Sequence, residues 1–76
     1  MEKRLNEFQI GEKGKIVKIT AVGKIKRRLY DMGVTPGAEV ELKKKAPLGD
    51  PLEVTLRGYE LTLRIDEAKE VLMEVE

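Results

Sequence analysis

The chain has 76 residues, of which 41% are hydrophobic, so it has room for one domain, residues 1–76, with a single small core. Fifteen basic and fourteen acidic residues nearly cancel, which argues against a protein that binds polyanions without regard to sequence. Histidine, cysteine and serine are absent, so disulfides, the usual nucleophiles and the usual ligands of transition metals are missing. We therefore expect no enzyme, no catalytic residue and no metal-binding residue.

Targeting signals are also missing from the sequence. No apolar run approaches the roughly 18 residues that a membrane-spanning helix needs, and the amino terminus lacks a basic-then-apolar signal pattern. We expect a cytoplasmic protein with no direct membrane insertion. The 38% content of charged residues, rich in Glu and Lys, is typical of a heat-adapted protein.

The first clear elements are a strand and a helix. Residues 15–20 are rich in β-branched side chains and predict a strand. Residues 22–32 predict an α-helix, because apolar side chains recur there at helical spacing. We expect that stripe to face the core; its members are Val22, Ile25, Leu29 and Met32.

The helix carries a clear stop signal. Gly33 fits the position just past the helix end that needs a left-handed backbone, and Val34 can fold back onto Leu29 as in a Schellman cap. Residues 35–38 then predict a type II turn, with Pro36 and Gly37 at its two central positions. The chain is therefore expected to turn directly into a second strand.

That second strand alternates, with Val40 and Leu42 inward, and the same alternation carried onward turns Lys44 inward. Residues 46–51 hold two prolines and a glycine, which predicts an irregular loop. Leu48 in this loop has no periodic partner. It is either an exposed anchor for another protein or a side chain that folds back to cap an open barrel end.

Residues 52–65 predict a β-hairpin. Gly58 and Tyr59 can form a two-residue type II′ turn, which pairs Leu56 with Leu61 on the buried face. Asp66 is a candidate N-cap for a short helical turn near 66–70. Val71, Met73 and Val75 then alternate with Leu72, Glu74 and Glu76, which predicts a closing strand. About five strands and one embedded helix predict a mostly β fold, most simply a small, partly closed barrel.

Charged and aromatic residues leave the binding function open at this point. Lysines and arginines near residues 24–28 and 43–45 could form a basic patch or simply solvated faces. Pairs of carboxylates on strands are expected to be solvated. Nucleic-acid grooves use several aromatic platforms, and this chain has three aromatic residues in all.

Three blocks of sequence together form a recognisable pattern: Arg27-Arg28-Leu29, Asp31-Met32-Gly33 and Pro36-Gly37, then the run from Ala46 to Pro51, then Leu61, Leu63-Arg64 and Glu67-Ala68. This pattern resembles the FeoA family, the small ferrous iron transport protein A. The resemblance covers roughly residues 5–76, and the order and spacing of the blocks make it specific. It implies an SH3-like barrel in the cytoplasm.

The resemblance also implies a partner. Members are accessory proteins of a large membrane GTPase that carries ferrous iron, the FeoB type, so iron is expected to be handled by that transporter and this chain to need no cofactor. No small-molecule substrate and no nucleic acid are expected. We predict that the partner-binding residues are Arg27, Arg28, Pro47, Leu48, Gly49 and Asp50.

Two alternatives use the same barrel. A KOW-type RNA-binding module is partly matched by Gly11, Gly14, Ile16, Val17 and Ile19. A stand-alone relative of the carboxyl-terminal domain of metal-dependent repressors is the other alternative.

Overall fold

The computed structural model describes residues 1–76 as six antiparallel strands, two short helices and one longer one. The strands form one sheet in the order β1-β6-β2-β3-β4-β5, which leaves β1 and β5 as edges, so the barrel is not fully closed. None of the helices is long and apolar enough to cross a membrane. The elements are β1 Glu2–Arg4, a 3₁₀ helix Leu5–Glu7, β2 Lys13–Ile19, α1 Gly23–Asp31, β3 Glu39–Lys45, β4 Leu52–Leu56, β5 Tyr59–Leu63, α2 Ile65–Ala68 and β6 Val71–Val75.

One hydrophobic core holds the sheet together. Its inward side chains alternate along the strands as the sequence predicts, with Val40 and Leu42 on β3 and Leu52, Val54 and Leu56 on β4 all buried. The mostly β fold with one embedded helix is confirmed, and the predicted shared face of the hairpin is confirmed too: Leu61 packs against the same core as Leu56.

The end of α1 forms as predicted. The Val34 N–H donates to the Leu29 carbonyl at 2.9 Å and the Gly33 N–H to the Tyr30 carbonyl at 3.0 Å, the two bonds of a Schellman cap. Gly33 has a φ of +88°. The Ala38 N–H then donates to the Thr35 carbonyl at 3.1 Å and closes the predicted turn.

The predicted apolar stripe of α1 is only half right. Leu29 is fully buried, but Val22 is 81% exposed and Ile25 is 41% exposed. The helix is fastened at its carboxyl end, where Met32 packs against the core and its carbonyl accepts a 2.7 Å hydrogen bond from the Tyr59 hydroxyl. The first turn therefore extends beyond the surface that the sheet can cover.

The hairpin turn differs from the prediction. Arg57 and Gly58, with φ of +51° and +86°, are its central residues, and Leu56 pairs with Tyr59. Two successive left-handed residues define a type I′ turn, which matches the twist of the strands. β5 is thus displaced by two residues along β4, since Leu56 lies opposite Tyr59 and not opposite Leu61 as predicted. A shift of two keeps every side chain on its face, so the core is unaffected.

Lys44 does not point inward as predicted. The register of β3 against β4 shifts between Leu42 and Lys44, which places Lys44 opposite Glu53 and leaves it exposed. A β-bulge inserts one extra residue and so reverses the alternation beyond it.

Three further boundaries differ from the sequence-based expectation. β1 is an additional strand; it is three residues long and is held by pairing with β6, with Lys3 opposite Met73. The first predicted strand begins earlier, at Lys13. Asp66 is not the N-cap of α2: that position is Arg64, whose N–H is accepted by the Glu67 carboxylate at 3.0 Å.

Candidate functional site

The loop between β3 and β4 has a fixed shape. The Gly49 N–H donates to the Ala46 carbonyl at 2.7 Å, and the Ala46 N–H donates to the Pro51 carbonyl at 3.1 Å. The Asp50 carboxylate accepts a 3.1 Å hydrogen bond from the Ile65 N–H. These bonds tie the loop to its own base and to the start of α2.

Leu48 stands at the tip of this loop and is 95% exposed. The alternative in which it folds back over an open barrel end is therefore not what the structure shows. A lone exposed leucine is common on protein surfaces, but here the backbone on both sides is hydrogen-bonded, and the side chain is held in solvent by a loop of defined shape.

The two predicted arginines of α1 differ in their surroundings. The Arg28 guanidinium lies 2.5 Å from a carboxylate oxygen of Glu67, whereas Arg27 is exposed and takes part in no ion pair. Glu67 is only 7% exposed and also accepts the Arg64 N–H. Glu67 thereby fastens α1 to α2, a structural role that the prediction of partner residues missed. Its position three residues after the N-cap, as in a capping box, was the available signal.

A cleft of about 400 Å³ brings part of the predicted set together. Arg28 and Asp50 line it, while Arg27, Pro47, Leu48 and Gly49 do not. The other lining residues are Pro51, Thr62 and Arg64. The Arg64 guanidinium has no carboxylate within ion-pair distance; Arg64 contacts Glu67 through its backbone N–H and carbonyl.

The remaining charges are distributed without a metal-binding cluster. No group of three or more acidic side chains lies close enough to hold a metal ion. The pKa of Glu12 lies below its ordinary value, chiefly because the Lys3 ammonium hydrogen-bonds to the carboxylate at 2.8 Å and also because the Gln9 N–H donates to it at 2.6 Å. This pair joins Lys3 on β1 to Glu12 just before β2, at a distance in sequence from the loop and the cleft.

The aromatic side chains offer little of a stacking surface. Phe8 is fully buried, and the Tyr59 hydroxyl is hydrogen-bonded to Met32. Tyr30 lies beside the Lys26 ammonium at 5.8 Å from the ring centre. The features expected of a single-stranded nucleic-acid groove, several free rings along one basic surface, are not assembled here.

The incompletely closed six-stranded sheet with its inserted helix defines a small domain of the SH3-like type. The chain belongs to the FeoA family: the FeoA domain model matches residues 3–75. This family is involved in ferrous iron transport, which confirms the resemblance drawn from the three sequence blocks.

Solved structures and a curated relative agree with this assignment. A FeoA-like protein from Clostridium acetobutylicum is 44% identical, with 97% of this chain and 86% of that chain covered and a TM-score of 0.91. FeoA from Stenotrophomonas maltophilia, solved in complex with zinc and described as an SH3 domain protein, is 30% identical, with coverages of 95% and 89% and a TM-score of 0.82.

The curated relative is a fusion protein from Porphyromonas gingivalis, named Fe(2+) transport protein A/Fe(2+) transporter FeoB. It is 29% identical over 72 residues, which are 95% of this chain. This chain spans only 8% of that protein.

Proposed function

We propose that this protein is a cytoplasmic accessory protein of ferrous iron uptake that acts by binding the cytoplasmic part of a membrane GTPase transporter of the FeoB type. The observation that carries the proposal is the fusion relative, in which the two proteins share one chain. Linking two modules covalently raises their effective concentration, which is useful when they act on each other. Where the two proteins are separate chains, the association must come from their surfaces.

The surface we propose for this contact is the loop tip Pro47, Leu48, Gly49 and Asp50, with Arg27 and Arg28 on α1. Apolar anchors contribute most when they fill a pocket of the partner, surrounded by polar contacts that exclude water. Leu48 is exposed on a loop whose hydrogen bonds already fix its shape, so little ordering entropy is lost on binding.

Iron is handled by the transporter in this proposal, and the chain itself needs no cofactor. Its available ligands are carboxylates, which suit hard cations and bind ferrous iron weakly. The protein would then change what the transporter does rather than carry the ion.

The decisive experiment compares two variants in which an exposed aliphatic side chain is replaced by glutamate. Leu48→Glu should weaken binding to the cytoplasmic part of the FeoB-type transporter at least about tenfold, measured by calorimetry, and leave the melting temperature unchanged. Ile10→Glu is the matched control, because Ile10 is 64% exposed but lies in a different turn. Equal binding by both variants and the unmodified protein would place the interface elsewhere.

A further inference from the structure

The outer edge of β5 has unpaired backbone groups. Leu56 and Tyr59 flank the two-residue turn and exchange hydrogen bonds, so bonding alternates from there along the strand. Glu60 and Thr62 fall at the non-bonded positions, where the N–H and carbonyl point away from β4. Since β5 ends the sheet order, these four groups have no strand to pair with. Such an edge is a template for another strand.

A walled cleft adjoins this edge. Thr62 contributes the β5 side of the 400 Å³ cleft, Arg28 projects from α1, and Asp50 and Pro51 come from the loop. Arg64 lies at the end where β5 runs into α2, and its backbone N–H is already used by Glu67. Arg64 therefore offers a guanidinium to a ligand, while Thr62 offers a hydroxyl and its backbone.

The charges along the edge have a definite order. Glu60, Thr62 and Arg64 are all exposed and share one face, because the side-chain period of a strand is two. Neither Glu60 nor Arg64 takes part in an ion pair. The edge thus presents an unpaired anion and an unpaired cation, each two residues from Thr62.

We propose that the β5 edge binds an extended segment of a partner protein as an added antiparallel strand, with an acidic side chain opposite Arg64 and a basic side chain opposite Glu60. Running antiparallel, such a segment has its acidic residue four positions before its basic one. Every pair in the existing sheet is antiparallel. The inference deepens the proposed function and rests on it for the identity of the protein that carries the segment.

The test uses two isomeric peptides, so that composition and net charge are identical. Acetyl-Glu-Val-Thr-Val-Lys-amide has the predicted order, and acetyl-Lys-Val-Thr-Val-Glu-amide has the reverse. In a ¹H–¹⁵N titration the first peptide should shift the amide signals of Glu60 and Thr62. We expect it to bind at least about fivefold more tightly than its isomer. It forms two cross-strand ion pairs, whereas the isomer places like charges opposite Glu60 and Arg64.

Two sets of variants separate strand addition from simple charge attraction. Thr62→Pro removes an edge N–H that the β4 ladder does not use, so it should abolish binding of the first peptide while the protein stays folded. The double variant Glu60→Lys and Arg64→Glu should reverse the preference and favour the second peptide. If Thr62→Pro unfolds the domain, the reversal alone decides. Lys18→Glu, exposed on β2, is the charge control and should leave the preference intact.

The contrary outcomes are distinct. Equal affinity for both isomers, or shifts confined to Arg64 that inorganic phosphate reproduces, would overturn strand addition and leave only an anion contact. If sedimentation shows that the protein self-associates through β5 and that the peptide does not disrupt this association, the edge belongs to a second copy of this chain. That result would also overturn the proposal. If the two peptides bind equally but Leu48→Glu still weakens binding to the transporter, strand addition is overturned and the proposed function stands.

Discussion

Gly33→Ala tests how the carboxyl end of α1 is fixed to the hairpin. Two costs add at this position. A left-handed φ of +88° costs a residue with a Cβ roughly 1–2 kcal/mol. The new Cβ would also lie 2.6 Å from the Tyr59 hydroxyl, which must move and lose its hydrogen bond to the Met32 carbonyl, worth about 0.5–1.5 kcal/mol. We expect a loss of about 1.5–3.5 kcal/mol in the free energy of unfolding.

A matched glycine separates the two contributions. Gly37 has a φ of +90°, but a Cβ added there would meet no atom within 4 Å, so Gly37→Ala should show the backbone cost alone. In the background of Tyr59→Phe, the cost of Gly33→Ala should fall to that of Gly37→Ala. Urea unfolding followed by circular dichroism measures all four variants. Equal losses for Gly33→Ala and Gly37→Ala with Tyr59 present would refute the role of the tyrosine contact.

Four other perturbations have expected outcomes set by the contacts above. Leu56→Ala should cost about 2–5 kcal/mol in urea unfolding, because Leu56 is fully buried; a loss under about 1 kcal/mol would contradict its place in the core. Glu67→Gln should cost about 1–2 kcal/mol by the same assay, since the carboxylate that accepts the Arg64 N–H and forms an ion pair with Arg28 becomes neutral while Arg28 stays 59% exposed; an unchanged stability would contradict this. Folding lowers the Glu12 pKa from 4.5, so the stabilisation that Glu12 provides is present above pH 4.5 and is lost as the pH falls through the folded-state pKa. The difference in stability between the unmodified protein and Glu12→Gln should therefore vanish in acid. A difference that stays constant with pH would refute this reasoning. Anaerobic calorimetry with Fe(II) should show only weak binding, and a stoichiometric sub-micromolar site would contradict the assignment of iron to the transporter.

Features that depend on local chemistry could be predicted from the residues alone. The Schellman cap at Gly33, the turn at residues 35–38 and the inward faces of β3, β4 and β6 follow from backbone preference and two-residue alternation. The loop at residues 46–51 was predictable as a loop because its prolines and glycine prevent regular pairing. The family resemblance also rested on motifs visible in sequence, and the domain match confirms it.

Features that depend on a partner distant in sequence were set by the assembled fold. β1 exists because β6 pairs with it, and three residues carry no detectable period of their own. The hairpin register was settled by the left-handed pair Arg57 and Gly58, since only the twist of the flanking strands selects the type I′ turn. The exposure of Val22 could not be predicted from the sequence. Helical spacing shows which side chains share a face, but only the assembled sheet sets how much of that face is covered.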